Sequence, residues 1–376
     1  MSRTVYMHIG LAKSGTTYLQ HILHANRSLL GDNAVLFPGP KMSEHFMAAL
    51  DLSGARFRGY AYPEAAGAWA RISQAANQHA GPTLISHEMF APASKDSIDR
   101  ALTDLDTDDV RVVITSRDIA RQIPAVWQER IKNGSEERYS DFLDSILVSE
   151  DGQKNKGGFW RQQNLIGISK RWAGPVGPER VTVVTLPQSG SDPRELWRRF
   201  AASMDLPDLE YSFDVEGRNQ SLGVVESELM RRLNGHIPEL PWPQYARRVK
   251  RRFAEGTLAA ASNSGRLAVP AGYQEAVSLV ADRTIKHLEA LGCRVVGDLE
   301  DLRPVFESSD RPHPDEVEVG AMLGVALAQL GHYISRPPAP KPATDRTMVP
   351  STTLGSRLGG RLDRFLETLR PGPRGG

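Results

Sequence analysis

The sequence predicts an α/β fold of three layers, a mainly parallel sheet flanked by helices, with a helical C-terminal part from about residue 190. Three observations carry that expectation. Short runs rich in β-branched residues alternate with longer stretches of helical periodicity, the pattern of strands joined by helical crossovers. The first such run ends in a glycine-containing turn that opens a helix, residues 8–20, HIGLAKSGTTYLQ. After the last strand-like run the pattern turns helical.

Taken in order, the expected strands are residues 4–9, 34–37, 83–86, 110–115 and 180–186. Between the first two, Leu19, Ile22, Leu23 and Leu30 recur at helical spacing, with Asn26 as the one polar residue in the stripe. Helices are expected over 192–204, 223–233, 243–253 and 273–291, as a cap or flank over the sheet. The apolar stretch 319–330 is too short to span a bilayer and is expected as a buried helix. From Arg336 the composition changes to RPPAPKPATDRT, which should be extended and solvated, so the domain is expected over 1–335 and a Pro/Gly/Arg-rich tail over 336–376. In that tail Leu354, Leu358, Leu362, Phe365, Leu366 and Leu369 share a helical face. The pattern allows peripheral contact with a membrane. Gly355, Gly359 and Gly360 each weaken such a helix by about 1 kcal/mol, so a frayed tail is the simpler expectation.

Composition narrows the function classes. Among 376 residues, 46 basic side chains face 45 acidic ones for a net charge of +1, which gives no global electrostatic case for nucleic acid or an anionic membrane. Any anion site must be local. The single cysteine, Cys293, forms no internal disulfide and by itself no zinc site. With no signal architecture at the N-terminus, a cytoplasmic location is expected.

The strand-turn-helix segment is a local anion site by construction. Backbone N–H groups at a helix N-terminus point at the ligand, the helix dipole favours negative charge, and glycine lets the backbone approach closely. Gly10 and Gly15 stand as the two glycines of a G-x-x-x-x-G loop, with Thr16 and Thr17 at phosphate-binding positions. In the nucleoside triphosphate loop the lysine follows the second glycine. Here that place is Thr16 and the lysine is Lys13, before Gly15. The later strand ends, TLISHE and VVITSRD, offer no obvious metal-binding Asp, so a metal-free site is expected.

At Lys13, Ser14, Gly15, Thr16, Thr17 and Leu19 the chain resembles the sulfotransferase family, matching its K-x-G-T-T-x-L loop position by position. The resemblance implies a P-loop-like sulfotransferase fold and 3'-phosphoadenosine 5'-phosphosulfate (PAPS) as donor, leaving 3'-phosphoadenosine 5'-phosphate (PAP). It implies that Ala12 to Thr17 bind the 5'-phosphosulfate, with Lys13 on the bridging oxygen. The family's 3'-phosphate element matches at Arg117, followed by Asp118; its serine eight residues on is replaced by Ala125. Gln122, Arg121 or amides near a helix starting at Pro124 are the available substitutes. Asn219 and Ser221 match a late segment that helps close over the nucleotide.

The family uses a histidine or a glutamate as base, and His87, Glu88 and His45 near the ligand edge of the sheet are the candidates. The acceptor, a small molecule, glycan or lipid, is not readable. Trp69, Phe159, Trp160 and Trp172 are candidates for an apolar acceptor pocket, with core packing as the alternative. Two other functions stay open: a P-loop kinase or triphosphatase, and a catalytically silent nucleotide-binding protein of the same fold.

Overall fold

A computed structural model describes residues 3–156, 158–214, 221–306 and 313–335. Asn219 and the tail 336–376 lie outside the described residues. Contacts divide the chain into a compact unit Met1–Gly331 and a second unit His332–Gly376, of which only residues 332–335 are described.

The first unit is built on five parallel strands, β1 Val5–His8, β2 Thr83–Ser86, β3 Val110–Ser116, β4 Val181–Thr185 and β5 Arg294–Val296, in the order β2-β1-β3-β4-β5. Val5 pairs with Thr83 on one side and Val110 on the other, and Val112 with Val181. The strands are apolar almost throughout because both faces are covered. Val5, Met7, Val112, Ile114 and Val183 pack into one core; Tyr6, Leu84, Val113 and Val184 pack into the other. Each large side chain so buried stabilises the fold by about 1.5–3 kcal/mol.

Helix α1 Thr16–Ala25 and helix α2 Arg27–Asp32 cover the second face with the helix Glu195–Ser203. Helices α3 Glu44–Ser53, α4 Ala68–Gln78 and α5 Lys95–Asp104 cover the first face with the helix Leu165–Val176. A third apolar cluster lies away from the sheet, where α6 Ile119–Lys132 packs with the helix Val224–Asn234 and the π-helical segment Ala246–Leu258.

Four elements differ from expectation, each for a local reason. Residues 34–37 make one parallel bridge, Leu36 to Thr83, and no strand: Pro38 cannot donate to a ladder and Ala34 sits at φ 59°. The strand β5 was not expected, since it is three half-exposed residues following a long helix. Asn26 splits the expected single helix. It is buried, donates to the carbonyls of Ile22 and Ser212 at 2.9 Å each, and so ties the helical pair to a distant segment. Pro124 does not start a helix: α6 begins earlier, where the Asp118 carboxylate accepts from the Arg121 amide at 2.9 Å, and Pro124 lies inside it.

The stretch 319–330 is helical, within Val319–Ser335, but is not buried: Leu323, Leu327 and Leu330 are more than half exposed and Met322 alone is buried. Among the described residues no helix is long and apolar enough to cross a membrane. Trp69, Phe159, Trp160 and Trp172 are all buried in the core, and Trp160 also lines a small cavity with Arg117 and Gln122.

Candidate anion-binding and transfer site

The strand order reverses at β1, with β2 on one side and β3 on the other, and open α/β sheets bind ligands at the C-terminal edge of such a switch point. The chain leaves β1 there into the glycine loop and leaves β3 there into Arg117.

Glycine is required at both glycine positions of the loop. Gly10 has φ +100° and a Cβ would lie 2.8 Å from Glu88 Cβ; Gly15 has φ +81°, and a Cβ would meet Leu196 Cδ2 at 2.5 Å. Gly15 precedes α1 directly, so the first amides of that helix open toward the loop. Beneath the loop runs a buried polar chain. His8 Nδ1 pairs with Ser86 Oγ at 2.7 Å and its Nε2 with Thr115 Oγ1 at 3.1 Å; Thr115 Oγ1 pairs with Ser14 Oγ at 2.7 Å. Burial pushes the His8 imidazole down to about 3, so it stays neutral and serves the loop's position. Ser14 also donates to the Leu11 carbonyl at 2.5 Å. Its hydroxyl is therefore engaged inside the fold and is not available to a ligand.

The Ala12 carbonyl accepts from the side-chain amides of Gln122 and Gln163, the latter at 3.3 Å. Gln122 in turn accepts from Arg117 Nε at 3.0 Å, so Gln122 links the two loops, and with Arg117 it lines a small cavity. Lys13, at φ 67°, reaches Glu129 of α6, with Nζ to Oε2 at 2.5 Å. Lys250 binds the other oxygen at 2.5 Å and Lys132 approaches at 3.2 Å. Burial pushes the Glu129 carboxyl up, but three ammonium groups outweigh it and hold it well below the carboxylate range. Burial also lowers the Lys13 ammonium, against the pull of Glu129.

The candidate bases separate. His45 sits on α3, is buried, donates from Nε2 to the Pro38 carbonyl at 2.7 Å and accepts at Nδ1 from the Ser86 amide at 2.9 Å. Neither nitrogen is left for a substrate, and burial lowers the ring to about 4. His87 accepts at Nδ1 from the Met89 amide at 3.1 Å, which puts the proton of the neutral ring on Nε2. Glu88 accepts from Gln20 at 3.1 Å and from Thr16. Burial raises its carboxyl, but His87 and these hydrogen bonds outweigh burial and keep it below the usual range. The Thr16 hydroxyl is thus engaged by Glu88, while Thr17 is exposed at the start of α1.

Arg117 is half-buried, and burial lowers its guanidinium to about 10. Beside it lies a cavity of about 280 Å³ lined in part by Arg117, Arg121, Ala125, Ser221, Arg266 and Phe306. Sequence reasoning missed Arg266, Gln163 and the lysine pair around Glu129. Lys132 lay in plain sight three residues from Glu129 on α6, but no spacing connects Lys13 to Glu129 or Arg266 to the cavity of Arg117. Among the described residues no group of three or more His, Cys, Asp or Glu is arranged to hold a metal ion.

No family model matches the chain, and no curated protein matches it. Among solved structures, a sulfotransferase from Alicyclobacillus acidocaldarius aligns over 67% of this chain and 96% of its own, with 16% identity and a TM-score of 0.37. A likeness of that size carries no inference about activity, and the residues have to do so.

Proposed function

We propose that the chain is a sulfotransferase that moves a sulfuryl group from PAPS to a hydroxyl or amine of an acceptor, without a metal ion. The observation that carries this reading is the pairing of two loops at one switch point: a glycine loop whose lysine precedes the second glycine, and a half-buried arginine at the end of the neighbouring strand. A lysine and loop amides suit a 5'-phosphosulfate, and a guanidinium forks onto a phosphate. Arg117 shares its cavity with Arg121, Arg266 and Ser221, a donor set that fits a 3'-phosphate although Ala125 offers no hydroxyl there.

PAPS, when bound, supplies an activated sulfur with PAP as the leaving group. The chain's residues then divide three tasks. Loop amides and Thr17 hold the 5'-phosphate. Lys13 moves from Glu129 to the bridging oxygen and neutralises charge developing there. The Glu88 carboxylate, held ionised, takes the proton from the attacking hydroxyl; His87, with its proton on Nε2, orients the acceptor as a hydrogen-bond donor. The new bond is acceptor oxygen to sulfur, and the bond lost is sulfur to the bridging oxygen.

The 3'-phosphate assignment has a direct test. Losing a charge-assisted contact costs about 1.5–3 kcal/mol, so Arg117→Ala and Arg266→Ala should each weaken PAP by about 10- to 150-fold. Adenosine 5'-phosphosulfate, which lacks the 3'-phosphate, should bind both variants as it binds the unaltered protein. Equal losses for both nucleotides in calorimetry would remove the two arginines from this role.

A further inference from the structure

We propose, on the reading that this site transfers a sulfuryl group, that its acceptor is an anionic polysaccharide bound along the π-helical segment Ala246–Leu258. The segment reads ARRVKRRFAEGTL. Its buried residues are Val249, Ala254 and Leu258, spaced four and five apart as the i→i+5 winding requires. Arg247, Arg248, Arg251 and Arg252 are all exposed and fall together on the other side. Among the described residues none of these four guanidinium groups pairs with a carboxylate. The segment's one acid, Glu255, turns to Lys132 at 3.4 Å. Three exposed arginines elsewhere sit on an acid of their own helical turn: Arg198 on Glu195, Arg232 on Glu228 and Arg303 on Glu300, each at 2.7 Å. In a chain of net charge +1, four adjacent unpaired arginines form a local field aimed at an anion.

The same segment reaches the transfer site. Lys250 holds one oxygen of Glu129 and Lys13 holds the other, each at 2.5 Å. Immediately before the segment stand Trp242 and Tyr245, which begin a chain of half-buried rings. Trp242 contacts Phe57 at 5.4 Å, Phe57 contacts Phe46 at 5.4 Å, and Phe46 contacts the candidate-site ring of His87 at 5.2 Å. The Trp242 indole donates to the Tyr62 hydroxyl at 2.8 Å, and the exposed Arg58 lies 5.9 Å over the indole ring. Partly exposed aromatic faces suit the carbon faces of pyranose rings. Guanidinium groups suit carboxylates and sulfates, bidentately. One small anion would need one or two of these cations; a chain of repeated charges engages the whole stripe, while its hydroxyls offer acceptors for transfer.

The experiment is calorimetric titration of the full chain with four probes, at low and high salt: polygalacturonate, neutral dextran, a DNA duplex, and phosphatidylglycerol vesicles. Polygalacturonate should bind most tightly and dextran at least about tenfold more weakly, with affinity falling as salt rises. Replacing Arg247, Arg248, Arg251 and Arg252 by glutamine should lower polygalacturonate affinity about tenfold or more and leave PAP affinity unchanged. Trp242→Ala should lower the binding that survives at high salt. The proposal is overturned if dextran binds as well as polygalacturonate, if the four glutamines change nothing, or if DNA or vesicles bind as tightly as the polysaccharide. PAP titration of the unaltered protein reports separately on the donor reading, so failure of one is distinguishable from failure of the other.

Discussion

Lys13→Ala is expected to lower sulfuryl transfer by about 10² to 10³ while donor affinity changes only a few-fold. The asymmetry follows from when the charge appears. In the ground state the bridging oxygen carries little charge, and amides of the glycine loop, the first turn of α1 and Arg117 share the anion. As the sulfur departs, negative charge collects on that oxygen, and a positioned ammonium then stabilises it most. Without a ligand Lys13 is held by Glu129, which Lys132 and Lys250 also neutralise. Release of Lys13 therefore leaves no isolated buried carboxylate behind. Transfer of labelled sulfuryl groups, compared with calorimetric donor affinity, separates the two effects. If affinity and turnover fell together, Lys13 would contribute only uniform binding.

Glu88→Gln should abolish most of the remaining chemistry, about 10² to 10⁴ in rate, and leave PAP affinity within error. Glutamine keeps the shape and an acceptor oxygen for Gln20 and Thr16 but cannot take a proton. The pH profile supplies a second readout. A base works only when deprotonated, and the Glu88 carboxyl is held below its ordinary value of 4.5. Lowering the pH should thus leave kcat/KM unchanged until the medium is more acidic than that ordinary value, and only then reduce it. A fall that sets in above that value, together with a full loss in His87→Ala and activity retained in Glu88→Gln, would move the base to the imidazole.

The frame of this site was legible because local chemistry dictates it. A β-branched run, two glycines at fixed spacing and a helical stripe specify strand, turn and helix within residues 4–30, and the run before Arg117 specifies the neighbouring strand. What the sequence hid was tertiary. Ser14 and His45 look like ligand and base by position, yet each completes a buried hydrogen-bond chain. The partners of Lys13 lie 116 residues and more away, and only packing of α6 and the π-helical segment brings them together. Periodicity likewise misread residues 319–330, since an apolar helix has the same pattern whether or not anything covers it. Residues 34–37 carried a strand composition that Pro38 overrode.

The most direct test of the account is nucleotide binding by the unaltered chain, measured by calorimetry in parallel with a chelator and with Mg²⁺. The lysine placement and the arginine-lined cavity predict tight binding of PAP in chelator, no gain on adding Mg²⁺, and weak binding of ATP under either condition. Tight ATP binding that requires Mg²⁺, with no preference for a 3'-phosphate, would contradict the account and return the glycine loop to triphosphate chemistry.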